Sequence, residues 1–267
     1  MHWILSAYVV DMGKFLQLLL SFACLFPLVT SLTRSEASRL LEERILPASE
    51  YAKRTGLGRQ AQGVQVADLV QGNDVRLYQT YGEFPLQSFD SLLDLTVAHF
   101  KQPKKRLRVL DLGSGCGRLV FYIGLTRPHW IVQGIELSSV LHEEALRARM
   151  RLQQVVDQDT TVTQMELFCG PASSFTDVIR QADVIFCYST AFESDGFSTE
   201  TGTMVLAQEW NDLFAKSCSE DCLVITTDKS LDMRWKILDR LDVENREVCE
   251  STGFVHRLAQ PSLCRNN

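Results

Sequence analysis

The run Val109-Leu110-Asp111-Leu112-Gly113-Ser114-Gly115-Cys116-Gly117-Arg118 constrains this chain more than any other feature, because it joins an apolar strand ending in an acid to a glycine turn that opens a helix. A side chain at Gly113 or Gly115 would hold a nucleoside ligand off the backbone, and the positive φ that such turns often need is freely open only to glycine. The spacing is G-x-G-x-G, so Arg118 stands where the last glycine of the dinucleotide pattern G-x-G-x-x-G would fall, which disfavours a pyrophosphate cradle. Nineteen residues after Gly117 a second apolar run ends at Glu136, where an acid can accept both ribose hydroxyls of an adenosine ligand. Either feature alone is weak. The order strand, acid, glycine turn, helix, strand, acid is specific. The bland alternative is a tight turn beside a solvent-facing Glu136.

Around this unit, β-rich runs at 107–111, 131–136, 162–168, 183–188 and 222–227 alternate with helical stretches at 118–126, 139–154, 173–181 and 204–216. Strict alternation of this kind predicts an α/β fold: a doubly wound, mainly parallel sheet with helices on both faces. The chain after Leu231 reads only weakly as two more strands, 235–241 and 254–258. Upstream, 35–53 reads as a helix redirected at Pro47, Gly56, Gly58 and Gly63 mark a loop, and 86–100 forms a second helix with enough apolar surface to pack on a sheet. The expected organisation is an N-terminal signal or anchor at 1–33, a helical region at 34–100 and a ligand-binding domain at 101–267.

Phe15 to Thr33 is uncharged and strongly apolar, with Lys14 before it. Its length suits a signal peptide, yet roughly 20 apolar residues also span a bilayer, so export, an organelle or membrane association through residues 1–33 are all open. The formal charge of −6 argues against a strong nucleic-acid-binding surface. The one basic cluster, Lys101, Lys104, Lys105, Arg106 and Arg108, reads as a solvated run before a buried strand. Eight cysteines include no C-x-x-C pair, so a zinc site is not expected.

The segment Asp111-Leu-Gly-Ser-Gly-Cys-Gly117 is similar to the first motif of the class I methyltransferases, and the resemblance covers about 78–229. Within that superfamily the chain most resembles the non-SET histone-lysine methyltransferases of the disruptor-of-telomeric-silencing type. Thr80-Tyr81-Gly82-Glu83, the glycine turn, and Asp183-Val-Ile-Phe-Cys-Tyr-Ser-Thr-Ala-Phe192 carry that likeness. It implies a Rossmann-like class I methyltransferase fold, S-adenosyl-L-methionine as cofactor and a protein lysine as acceptor. By the same resemblance Tyr81, Gly82 and Glu83 form a loop over the methionine end, Asp111 helps hold its amino group, Gly113, Gly115 and Gly117 make the turn, and Glu136 binds the ribose. Tyr188, Ser189 and Phe192 then line the opening for the acceptor amine. The chain departs from the family at Tyr188-Ser189, where the family has a pair of amides, and at Cys169-Gly170-Pro171, where it has an acid. It also lacks the basic nucleosome-binding extension, which sets an exported protein against a nuclear one. A small-molecule or lipid acceptor, and a silent cofactor binder, stand as alternatives; a nicotinamide-dependent oxidoreductase is disfavoured by Arg118.

Overall fold

The computed structural model describes residues 31–70, 81–102, 104, 106–156 and 164–259, with the side chains of 61–70 set aside. The apolar N-terminal segment up to residue 30, Thr80 and Lys105 lie outside these residues. Among the described residues no helix is long and apolar enough to cross a membrane.

Helix α1, Arg34–Leu40, starts at Thr33 in a reciprocal cap: the Thr33 side chain accepts from the Glu36 N–H while the Glu36 carboxylate accepts from the Thr33 N–H. This satisfies donors that the first turn leaves orphaned. A π-helical turn, Leu41–Ile45, continues it, and the chain breaks before Pro47 as the sequence predicts. Helix α2 is Tyr51–Val70. It runs through Gly56, Gly58 and Gly63, which replaces the predicted loop with helix. Gly58 has a packing reason to be there: a Cβ at this position would collide with Tyr81. Helix α3, Leu86–Val97, follows.

The α/β repeat then runs β1 Arg108–Leu112, α4 Arg118–Thr126, β2 Ile131–Glu136, α5 Ser139–Val155, β3 Gln164–Cys169, α6 Thr176–Gln181 and β4 Val184–Cys187. A hairpin of β5 Ser194–Ser198 and β6 Thr203–Leu206 precedes α7 Gln208–Ser217, β7 Leu223–Thr227, β8 Lys229–Ser230 and the long pair β9 Trp235–Asn245 and β10 Cys249–Leu258. Residues 204–206, expected to begin a helix, instead form β6, and the helix starts at Gln208. The apolar run Met204-Val-Leu206 fits either state, and pairing with β5 decides it.

Seven strands form the main sheet in the order β3-β2-β1-β4-β7-β10-β9. The first five run parallel, and β10 enters antiparallel between β7 and β9. Side chains alternate between two cores. Val109, Val132, Val184 and Phe186 pack with Leu41 of the π-helical turn, Phe89 of α3 and Phe121 of α4, whereas Leu110, Leu112, Ile185 and Cys187 pack with Ile179 of α6 and Phe214 of α7. Helices therefore cover both faces, and the fold is a doubly wound, Rossmann-like α/β arrangement. The strand order reverses between β1 and β4, so the crevice outside their carboxyl ends is the place where such sheets take ligands.

Candidate active site

The turn at the end of β1 is shaped by backbone geometry that side chains rarely adopt. Gly113, Gly115 and Gly117 have φ of +81, +53 and +80°, and the amides of Gly113 and Ser114 both donate to the Ile135 carbonyl of β2, at 2.9 and 3.0 Å. Glu136, at the end of β2, is buried. Its Oε2 accepts from the Gly115 amide at 2.7 Å and its Oε1 from the Ser138 amide at 2.8 Å. Burial pushes the Glu136 carboxyl up, while the amides of Ser138 and Gly115 pull the other way. The two features read from sequence are thus one bonded unit, in which Glu136 fixes the turn.

Asp111 sits at the carboxyl end of β1 and is only 5% exposed. Among the described residues no donor reaches its carboxylate, and burial together with the negative Glu136 pushes its pKa up to about 8. A buried acid without a donor is costly unless a cation meets it. Beside the turn lies a cavity of about 300 Å³ lined by Leu112, Gly113, Ile135, Leu137, Gly170, Pro171, Phe192 and Trp210. It spans the carboxyl ends of β1, β2 and β3, its walls are mainly apolar, and a Cβ added to Gly113 would lie 3.7 Å from the Phe192 ring. The aromatic wall is held in place by Trp210, whose ring centroid is 4.8 Å from that of Phe192. A flat heterocycle fits such a cleft, and a cationic tail fits Asp111. The residues present are therefore suited to S-adenosylmethionine: the glycine turn for the nucleoside, Asp111 for the ammonium, and Glu136 at the ribose end.

The Tyr81–Glu83 loop closes the other side. A Cβ on Gly115 would lie 2.7 Å from the Tyr81 ring, so this ring rests directly on the turn. The Tyr81 hydroxyl donates to Glu83 Oε1 at 2.7 Å, and Glu83 is itself held by Arg54 at 2.5 Å and faces Arg118 at 3.5 Å. Arg54, 1% exposed, also donates to the Pro47 carbonyl at 2.9 Å. Glu83 is thus an anchor of the loop, fully engaged by cations of the protein.

At the end of β4, Tyr188 packs edge-on against Phe84, with ring centroids 5.0 Å apart. Its hydroxyl accepts from Asn245 Nδ2 at 2.9 Å and donates to Glu247 Oε2 at 3.1 Å. Ser189 is fully buried; its Oγ donates to the Thr227 carbonyl at 2.7 Å and accepts from the Thr227 amide at 2.9 Å. It ties β4 to β7 and does not reach the opening expected for it. Phe192 faces the nucleoside-sized cavity. The structure brings Tyr81, Gly82 and Tyr188 together on one side of the turn and Phe192 with Gly113 on the other.

Leu137, Trp210, Arg54, Asn245 and Glu247 also build this region, and no sequence signal singled them out. Trp210 sits on the first turn of α7, and Asn245 and Glu247 belong to a hairpin that the sequence shows only weakly. Among the described residues no three His, Cys, Asp or Glu side chains gather as a metal site. Of the basic cluster, Lys104 pairs with Asp183 at 2.6 Å at the amino ends of the strands, away from the crevice.

No protein-family model matches the chain, and no curated protein sequence matches it. Solved structures are similar at the level of the fold. MtNAS in complex with MTA and tNA has 11% identity and a TM-score of 0.48, over 92% of this chain and 96% of that one. The O-methyltransferase from Bacillus cereus in complex with SAH has 12% identity and a TM-score of 0.41, over 83% and 96%. TrmN from Thermus thermophilus has 14% identity and a TM-score of 0.44, over 66% of this chain and 49% of TrmN, so the chain spans about half of that protein. The fold assignment rests on the strand order, not on these likenesses.

Proposed function

We propose that the protein is an S-adenosylmethionine-dependent methyltransferase whose acceptor is an amine, in the finer reading a protein lysine. The observation that carries the proposal is the unit at the switch point: a glycine turn locked by Glu136, a buried Asp111 that no donor among the described residues reaches, and, beside the turn, an apolar cleft of nucleoside size walled by Gly113 and Phe192. When bound, the cofactor supplies an electrophilic methyl group on a sulfonium.

What the chain must do is position a neutral nucleophile in line and keep water out. Tyr81 and Gly82 cover the turn from above. Phe84 packs edge-on behind Tyr188 and holds its ring beside the turn, where an acceptor would meet it. Burial raises the Tyr188 phenol, so it orients the acceptor as a neutral hydroxyl and is no base. The lysine reading is supported by the Tyr81-Gly82-Glu83 and Asp183–Phe192 stretches, which resemble the telomeric-silencing type, with Tyr188-Ser189 standing where that family has a pair of amides. We further propose that residues 1–33 act as a signal or anchor ahead of the helical region at 34–100 and the methyltransferase domain at 101–267, which directs the enzyme to a secretory or membrane compartment.

The test is incubation with methyl-labelled S-adenosylmethionine and, separately, nucleosomes, free histones, whole-cell protein and small-molecule amines. Label on protein that survives as methyl-lysine supports the finer reading. Label only on small molecules moves the acceptor, and binding without transfer would mean a silent cofactor binder.

A further inference from the structure

The turn between β9 and β10 meets the Tyr81–Glu83 loop and Tyr188, far in sequence from every motif. Glu247 on this turn is exposed, yet its carboxylate takes three protein donors: Tyr51 Oη at 2.7 Å and the Glu83 amide at 2.7 Å on Oε1, and Tyr188 Oη at 3.1 Å on Oε2. Gly82 is squeezed between them, since a Cβ there would strike the Glu247 carboxylate and stand 3.0 Å from the Tyr188 ring. An exposed carboxylate has no need of so many protein partners, as water would satisfy it equally well. The arrangement fastens one loop to three separate elements.

Resting on the methyltransferase reading above, we propose that Glu247 is a positioning residue: it latches the Tyr81–Glu83 loop over the methyl-donor site and fixes the polarity of the Tyr188 hydroxyl toward the acceptor. The latch acts through the Glu83 amide, whose neighbour Tyr81 lies on Gly115. The polarity follows from the bonds around Tyr188. Asn245 donates to its oxygen, and its proton is committed to Glu247. A lone pair is what this hydroxyl has left to offer, so it receives an N–H or O–H from the incoming acceptor and does not donate to it.

Glu247→Gln separates the two roles. The amide oxygen still accepts from Tyr51 and Glu83, but the amide nitrogen now donates toward Tyr188 and turns its proton outward. Glu247→Ala removes both roles, and Gly82→Ala displaces the carboxylate without changing its charge. Calorimetric titration of the full chain with S-adenosylhomocysteine, with thermal unfolding alongside, is expected to show Glu247→Ala and Gly82→Ala weakened roughly tenfold at an unchanged Tm, with Glu247→Gln within about threefold of the parent. The tyrosinate absorbance of Glu247→Gln should rise at somewhat lower pH than in the parent: burial, the main reason that Tyr51 is raised to about 12 and Tyr188 is raised, stays in place, but the further push from the Glu247 carboxylate is lost. Equal affinities in parent and Glu247→Ala would overturn the latch, and an unshifted tyrosinate titration would overturn the Tyr188 polarity. A parent chain that binds no S-adenosylhomocysteine would instead overturn the methyl-donor reading, and this inference with it.

Discussion

Asp111 shows most directly how one residue carries function at a cost in stability. Its folded pKa, near 8, lies above the ordinary value of 3.8, so between these limits the folded chain holds a proton that the unfolded chain has released. Stability therefore falls as pH rises from about 4 to 8, and the full penalty, up to a few kcal/mol, is present above 8. Asp111→Asn should remove this slope and unfold at a higher temperature than the parent at pH 8, while binding the sulfonium cofactor at least tenfold more weakly. A cationic ligand should expel the Asp111 proton at pH 7, so titration in buffers of different ionisation enthalpy should register up to about one proton released, and none in Asp111→Asn. Gly113→Ala tests the turn itself. Its φ of +81° costs a side chain about 1–2 kcal/mol, and a methyl there has room in the fold but projects toward the Phe192 side of the cleft. Stability should fall by about that amount while S-adenosylhomocysteine affinity falls by tenfold or more. These roles were legible at Asp111, Gly113 and Glu136 because their chemistry is local to one strand–turn–helix unit. At Ser189 they were not, since only the fold brings Thr227 against it.

Elements hold the site through contacts that cross the sheet. Ser189 joins the ends of β4 and β7 by bonds to both backbone groups of Thr227, so Ser189→Ala strands a buried donor and acceptor and should lower stability by about 1–3 kcal/mol, read by denaturant unfolding. On the last strand, β10, His256 is fully buried. Its Nε2 accepts from the Leu231 amide at 3.1 Å, while Nδ1 faces the Val224 carbonyl at 3.2 Å, which fixes a neutral ring. Burial depresses its pKa to about 4 from 6.5. The unfolded chain thus binds the proton first, and the stability contributed by the neutral ring, about 3 kcal/mol, is lost as pH falls from 6.5 through 4. An NMR titration should find the His256 ring neutral down to about pH 4, and His256→Gln should flatten the acid limb of the stability curve. The parallel strands β1, β2, β4 and β7 were readable because each is a buried apolar run, and β3, half-buried at the sheet edge, because Met165, Leu167 and Phe168 still mark it. The β5–β6 hairpin was not, since Met204-Val-Leu206 is short and apolar enough for either state and only pairing with β5 makes it a strand.

At the scale of the whole molecule the strand order places everything else. Reversal between β1 and β4 opens a crevice at the carboxyl ends, and the two acids, the glycine turn, Phe192 and Tyr188 all arrive there from different segments. The N-terminal helices share the core of one face, with Ala37, Leu41 and Phe89 packed against Val109 and Phe186, and through Arg54 they hold the loop that covers the turn. Sequence patterning could predict the sheet but not this buttress: in α2, Gly56, Gly58 and Gly63 read as a loop until Tyr81 is seen resting on Gly58. Net charge acts at this scale too. A chain at −6 whose Lys104 is paired with Asp183 away from the crevice should show no retention on RNA or DNA at about 150 mM salt. The central claim, that this crevice binds S-adenosylmethionine through Glu136 and the glycine turn, is tested most directly by calorimetric titration of the chain and its Glu136→Ala variant with that compound. The account predicts one site per chain, with at least tenfold weaker binding in the variant. No binding to either protein, or equal binding to both, would contradict it.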